Sequence, residues 1–345
     1  MIGPAWVGDM VMAHTLVQRL RAQDPDAELH MLAPAATAAL AARMAEIQTV
    51  HSVDFLHGEF GFSRRRRLGK SLRADAFDQA FVLPNSWKSA LIPYFANIPK
   101  RTGWLGETRY GLLNDLRRLN KARYGLMIER FMALATPDGG LPSPSYPLPQ
   151  LQVDAHNLAR CLSEHQLVCD KVAVLCPGAE FGPAKKWPPR HYAQLAVRLI
   201  AKGWNVWMLG SPNDRQDAAD IVQMAGSPAE LVNLVGRTTL LDAVDLLSVA
   251  QQVICNDSGL MHVACALGRP TVGIFGSTSA SFTPPLGPVG LVVEQALACR
   301  PCFSRTCPLG HLDCLESLWP EQVLSQINVC QTTFVASSTD VVRQV

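Results

Sequence analysis

The sequence lacks any large excess of charge: its 345 residues carry 31 Lys and Arg against 29 Asp and Glu, a formal net charge of +2. That balance excludes a whole-surface attraction to nucleic acid or anionic lipid, so an acidic partner must be met by a local patch. A long apolar run is also missing. The longest charge-free stretch, Pro270 to Val293, is interrupted by four prolines and four glycines, which excludes a membrane span there. Asp9 precedes the first basic residue, Arg19, so the basic start of a secretory signal is absent and a cytoplasmic location is expected. Neither G-x-G-x-x-G nor G-x-x-x-x-G-K-[ST] nor H-E-x-x-H occurs. A typical dinucleotide oxidoreductase, a P-loop NTPase and an H-E-x-x-H metalloprotease are therefore disfavoured.

What is present has the balance of an ordinary globular chain, 48% hydrophobic and 17% charged. At about 150 residues per domain, the length predicts two domains. Short apolar runs ending in turn residues predict buried strands at Glu28 to Pro34, Gln79 to Asn85, Val172 to Pro177, Asn205 to Ser211, Val253 to Asp257 and Thr271 to Ser277. Between them, Tyr192, Leu195, Ala196, Leu199 and Ile200 fall on one helical face before Gly203 supplies a stop. This alternation predicts a doubly wound α/β architecture with mostly parallel sheets. Five prolines and two glycines between Pro137 and Pro149 mark an interdomain linker, giving domains of 1–150 and 151–345. Ligand is then expected in a cleft between them, at the carboxyl ends of the strands.

Two loops in the second half suit an anion. The strand at Val172 to Cys176 runs into Pro177-Gly178-Ala179-Glu180-Phe181-Gly182-Pro183-Ala184-Lys185-Lys186, where glycines permit close backbone approach and a lysine neutralises charge. The strand at Val253 to Cys255 runs into Asn256-Asp257-Ser258-Gly259-Leu260-Met261-His262, with Asp257 or Ser258 as the N-cap of a helix whose free amides attract a phosphate. The bland alternatives are a solvated loop and a capped helix with a packed histidine. In the first half, Gly3-Pro4-Ala5-Trp6-Val7-Gly8-Asp9 opens a helix, and Asp9 is either a general base or a helix-end carboxylate. Arg64-Arg65-Arg66-Arg67, followed by Lys70 and Arg73, is the strongest charge concentration. A solvated helix face is the usual origin of such a run. Four consecutive arginines wrap most of a helix and repel one another, so acidic-substrate binding is favoured here.

Of the ten cysteines, six are scattered, several in apolar segments where a thiol packs as a small hydrophobe. Cys299, Cys302, Cys307 and Cys314 cluster, with His311 among them. That set is a candidate structural zinc site, the rival being free thiols in an ordered loop.

Several segments together resemble one family: Gly3 to Met10, Leu83 to Ser86, Arg101 to Trp104, Arg109 to Asn114, Pro177 to Pro188, Asn256 to Ala264 and Phe282 to Pro285. They are similar to the ADP-heptose:lipopolysaccharide heptosyltransferases of glycosyltransferase family 9, those of type II in particular, in order and spacing over nearly the full length. The resemblance implies a GT-B fold of two Rossmann-like domains. It further implies transfer of L-glycero-D-manno-heptose from ADP-heptose to the first heptose of heptosyl-Kdo2-lipid A, by an inverting, metal-independent displacement at the cytoplasmic face of the inner membrane.

By position, the resemblance makes Asp9 the general base and Lys185 the residue that stabilises the leaving ADP. Ala179, Glu180, Asp214, Thr238, Asp257, Ser258, Gly259 and His262 become donor contacts, and Arg64, Arg65, Arg66, Arg67 and Lys70 acceptor contacts. No catalytic cofactor is implied. Relatives usually carry several more residues before Gly-Pro, forming a complete first strand. The expectation is that Met1 is a misplaced start, that the central strand is shortened, and that backbone groups are left unpaired under Asp9. A nucleotide-sugar epimerase or hydrolase of the same architecture is the rival enzyme class, and a sugar-nucleotide sensor the non-catalytic one.

Overall fold

The structure, a computed structural model, describes residues 1–55, 59–136, 140, 146–327 and 329. Most of the proline-rich segment 137–149, at 137–139 and 141–145, lies outside the described residues, as does Cys330. The chain divides into two compact units, Met1–Pro147 and Leu148–Val345.

The first unit contains strands β1 (His30–Pro34), β2 (Thr49–Val53), β3 (Gln79–Val82), β4 (Lys100–Trp104) and β5 (Asp115–Arg117). β1 pairs with β2, and β3 with β4 and then β5, all in parallel. Ile2 joins the two groups, bridging Leu32 on one side and Val82 on the other. The resulting order is β2, β1, Ile2, β3, β4, β5. Its backbone is paired: the Ile2 amide donates to Phe81 O at 2.8 Å, the Ile2 carbonyl accepts from Leu83, and the Gly3 amide donates to Leu32 O at 2.8 Å. The expected loss of pairing beneath Asp9 is therefore not seen, because one well-registered residue occupies the central position.

The Gly3 hydrogens are needed here. A Cβ would lie 2.7 Å from Met10 Cε and 2.9 Å from Met31 Sδ, so the turn into the helix Val7–Gln23 packs directly on β1. The inner face of that helix, including Met10, Leu16 and Val17, is fully buried. On the sheet's other flank the helix Phe62–Ser71 crosses Leu91–Phe95 at Gly69, where a Cβ would meet Ile92 O at 2.6 Å.

The second unit contains β6 (Val172–Cys176), β7 (Asn205–Met208), β8 (Leu231–Asn233), β9 (Gln252–Asn256), β10 (Thr271–Phe275) and β11 (Gly290–Glu294). Its spatial order is β11-β10-β9-β6-β7-β8, every pairing parallel. Every residue of β6, β9 and β10 is buried, as expected for strands covered by helices on both faces. Helix Pro189–Ile200 contributes the predicted face: Tyr192, Leu195, Ala196 and Leu199 enter a core with Trp187, Trp204 and Ile254. Numbered within its unit, each sheet runs 3-2-1-4-5-6, the Rossmann order, with Ile2 as the first strand of the first unit. The switch point lies between strands 1 and 4, where ligands gather outside the carboxyl ends.

Candidate functional site

The switch point of the second unit lies between β6 and β9, and the two loops singled out in the sequence follow these strands. Asn256, fully buried at the end of β9, ties them together. Its Nδ2 donates to Pro177 O at 2.6 Å, while its Oδ1 accepts from the Trp187 amide and the Tyr192 hydroxyl at 3.1 Å each. Beyond it, Lys185 Nζ donates to Asp257 Oδ2 at 2.6 Å. Both partners are largely shielded, Lys185 at 14% and Asp257 at 4% side-chain exposure, so the pair is insulated from solvent screening. Thr278 Oγ1, past the end of β10, donates to the same carboxylate oxygen at 2.6 Å.

Asp257 is thereby committed to the lysine and does not cap the helix Gly259–Ala266. Ser258 is the N-cap residue and makes no side-chain cap bond. Among the described residues the first-turn amides, at the positive end of the helix dipole, receive no bond from the cap side chain, an arrangement suited to a phosphate. His262, one turn along, is 5% exposed, and burial holds its pKa down to about 4, the Asp257 charge opposing the shift only in part. It is neutral at physiological pH.

The outer part of the β6 loop meets the end of β7. Asp214 accepts from the Ser211 hydroxyl at 2.7 Å and from Lys186 Nζ at 3.1 Å. Glu180 is exposed and accepts from Ser211 Oγ at 3.0 Å. Gly178 is required for this approach, since a Cβ there would sit 2.2 Å from Asp214 Oδ2. Ala179 is buried in the same loop, and Thr238 is half-buried just before the N-cap Thr239 of the helix Leu240–Leu247. The fold thus gathers Lys185, Asp257, Ser258, Gly259 and His262 in one group, with Glu180 and Asp214 in a neighbouring one.

Sequence reasoning placed Lys186 in the anion loop without its carboxylate partners, and missed Thr278 and Ser211. Gly276-Ser277-Thr278 repeats the strand-then-small-polar pattern that flagged the other loops, and that pattern was the available signal. Also missed was the support beneath the Lys185 turn. Ala184 N donates to Arg305 O at 3.0 Å, and Ser277 N to Ala184 O at 3.1 Å. Gly182, at φ +152°, would place a Cβ 2.6 Å from Arg305 O.

The segment supplying Arg305 is the cysteine-rich one. Cys299, Cys302, Cys307 and Cys314 line one cavity of about 20 Å³ with His311 and Ala184. Backbone amides of Leu312, Leu309, Gly310 and His311 bond the Cys307 sulfur and hold its pKa below the usual thiol value, whereas burial raises that of Cys314. Among the described residues, no group of three or more His, Cys, Asp or Glu side chains is disposed to hold a metal ion.

In the first unit, Asp9 lies in the first turn of Val7–Gln23, the helix that follows the switch-point residue Ile2, where the helix dipole favours negative charge. The helix N-cap, Trp6, makes no side-chain cap bond and is 49% exposed. The arginine run is divided by the helix that carries it. Arg65 points inward at 7% exposure, its Nε donating to Phe60 O at 2.8 Å and its guanidinium 3.9 Å from the centre of the Phe55 ring. Arg64 bonds Glu59 at 3.1 Å and the Asp54 carbonyl. Arg67 is exposed. Arg66 and Lys70 share a cavity with Arg73 and Arg101, at the amino end of β4 and so at the opposite end of the sheet from Asp9. Among the described residues, no helix is long and apolar enough to cross a membrane.

Comparison with known proteins gives a consistent result. The sequence profile of "Glycosyltransferase family 9 (heptosyltransferase)" matches residues 65–313. Lipopolysaccharide heptosyltransferase 2 of Salmonella typhimurium is 43% identical over 336 residues, covering 95% of this chain and 96% of the relative. Lipooligosaccharide heptosyltransferase 2 of Haemophilus influenzae is 44% identical over 343 residues, covering 95% and 97%. Among solved structures, Escherichia coli ADP-heptose lipopolysaccharide heptosyltransferase II superposes with a TM-score of 0.85 at 41% identity, covering 96% of this chain and 97% of that one.

Proposed function

The chain belongs to glycosyltransferase family 9, with the GT-B architecture of its structural neighbours, and from that premise we propose that it is a type II heptosyltransferase. It moves L-glycero-D-manno-heptose from ADP-heptose to the first heptose of heptosyl-Kdo2-lipid A. The observation that carries this reading is the Lys185–Asp257 pair beside an uncapped helix N-terminus at the switch point of the second unit. A diphosphate there receives the amides of Ser258 and Gly259 and draws the Lys185 ammonium from its carboxylate. Asp214 and Thr238 take the ribose and adenine sides, and Ala179, Glu180 and His262 the sugar side.

Asp9 accepts the proton of the acceptor hydroxyl as its oxygen attacks the anomeric carbon. The new glycosidic bond forms on the face opposite the departing phosphate, so the configuration inverts. The electron pair of the broken C–O bond leaves on ADP. Positive charge develops on the sugar as negative charge grows on the diphosphate, and fixed donors around the latter stabilise that state. Lys185 and the helix amides supply this stabilisation, so no cofactor is assigned to the chemistry. Arg64 and Arg67 face the acidic acceptor, and the enzyme works as a peripheral protein at the cytoplasmic leaflet.

The cysteine segment is read as ordered thiols supporting the donor loop, with structural zinc as the competing assignment. Metal analysis decides between them, and about one equivalent of zinc per chain would replace the first reading with the second. The transfer itself is tested by incubating the protein with ADP-heptose and heptosyl-Kdo2-lipid A and weighing the glycolipid by mass spectrometry. A product one heptose heavier is expected. Donor consumption without that product would favour the epimerase or hydrolase class.

A further inference from the structure

We propose that the first unit carries an anionic-bilayer docking surface, distinct from the Asp9 end of the sheet, formed by a basic cavity and the aromatic ladder leading to it. The cavity, about 560 Å³, is lined by Arg66, Lys70, Arg73 and Arg101 together with Tyr94 and Asn97. Among the described residues, none of these four cations is paired with a carboxylate. Arg73 bonds Phe95 O at 2.9 Å and Asn97 Oδ1 at 3.2 Å, and Arg101 bonds Leu112 O and Ile98 O at 2.7 and 2.6 Å. Two of the guanidinium groups are thus held in place by neutral oxygens rather than by carboxylates. Arg66 and Lys70 stand one helical turn apart on the exposed face of Phe62–Ser71.

Four unneutralised cations around one opening call for a ligand with several negative charges, and phosphate is the chemistry that fits. The neighbouring residues identify the source. Phe60 stacks on Trp87 and on Phe62, with ring centres 5.8 and 6.1 Å apart; Phe62 meets Phe95 edge-on at 5.5 Å, and Phe95 meets Tyr94 at 5.3 Å. Phe60, Phe62 and Tyr94 are 49%, 43% and 42% exposed. Arg66 lies 6.0 Å from the Phe95 ring centre and Arg101 5.6 Å from that of Tyr94, so cations and rings form one continuous surface. A soluble phosphate gains nothing from exposed phenylalanines. A bilayer uses both, since aromatic rings settle at the headgroup level and each cation near an anionic surface adds about 1 kcal/mol.

This inference rests on the lipid-linked acceptor in the proposed function, but its test does not require transfer. The purified full-length protein is sedimented with vesicles of mixed phosphatidylglycerol and phosphatidylcholine, and with phosphatidylcholine alone, in the absence of donor and acceptor. Binding to the mixed vesicles only is expected, falling about tenfold or more in Lys70→Glu/Arg73→Glu, the effect of removing two such cations. Phe62→Ser, at a ring 43% exposed and with its melting temperature checked against the parent, is expected to weaken it several-fold.

Equal binding to both vesicle types, or wild-type binding by Phe62→Ser and by a double variant that melts like the parent, would overturn the proposal. So would displacement by inorganic phosphate beyond that of sodium chloride at equal ionic strength, which would mark a soluble phosphate site instead. Vesicle binding without heptose transfer leaves this surface standing and removes the proposed function. Transfer to the glycolipid without vesicle binding does the reverse.

Discussion

The two units share a strand order but treat charge in opposite ways. In the second, cations at the switch point are neutralised in advance: Lys185 by Asp257, and Lys186 by Asp214 and Asp217 at 3.1 and 2.7 Å. In the first, Arg66, Lys70, Arg73 and Arg101 surround an open cavity with no acidic partner among the described residues. The difference follows from the ligands proposed for each. A small diphosphate must displace an internal carboxylate, so the site is held in shape before binding and the exchange of one anion for another costs little. A lipid surface is too large to be pre-formed around, and unpaired cations held by carbonyl groups attract it at longer range.

The comparison sharpens most at Asp9. Asp9→Asn keeps the size of the side chain and its place in the helix but removes the proposed base, so turnover with saturating donor should fall roughly 10²- to 10⁴-fold with ADP affinity unchanged. Weaker ADP binding in that variant would mean that the first unit also shapes the donor site.

Next in size is Lys185→Met. It removes the charge proposed to act in the transition state and leaves Asp257, 4% exposed, with the Thr278 hydroxyl still donating to it. Transfer should drop on the order of 10²-fold. The melting temperature should fall too, because stranding one member of a shielded pair costs roughly 3 kcal/mol. A variant as stable as the parent would show that the pair is not the support it is taken to be.

Acidification should then strike the second unit through His262. Its folded pKa of about 4 lies below the value of about 6.5 in an unfolded chain. Between those values the unfolded state binds a proton that the folded state refuses, so stability is full above pH ~6.5 and declines as pH falls toward ~4. A loss on the order of 2–3 kcal/mol is expected for this group, read as a steeper fall of melting temperature in the parent than in His262→Gln.

The smallest effect expected is that of Gly178→Ala. The new methyl must push Asp214 away from Ser211 and Lys186, costing about 1–3 kcal/mol. KM for ADP-heptose should rise more than kcat falls. Unchanged KM would remove Asp214 from the donor site.

Much of this was legible in the sequence. All six predicted strands are present, because β1, β3, β6, β7, β9 and β10 are buried enough to read as apolar runs. β2, β4, β5, β8 and β11 were not foreseen. His51 and Ser52 dilute β2, Lys100 and Arg101 open β4, and the outer strands β5, β8 and β11 are largely half-buried, so none shows a clean run. The loops after β6 and β9 were visible because glycine, proline, lysine and Asn-Asp-Ser-Gly interrupt strand ends. Their coupling was not: Lys185 and Asp257 are 72 residues apart, and only the parallel pairing of β6 with β9 brings them together. The arginine run shows the same limit. Its charge is plain in the sequence, but which of its members turns inward depends on where Gly69 lets two helices touch.

Gly182 has a practical consequence for engineering. With Arg305 O where its Cβ would be, the loop after β6 and the cysteine-rich segment behave as a matched pair of parts. A chimaera that imports a relative's segment after β11 must also import residues that fill, or leave room for, that contact. Swapped alone, the segment would alter nucleotide binding from a position with no proposed role in the reaction.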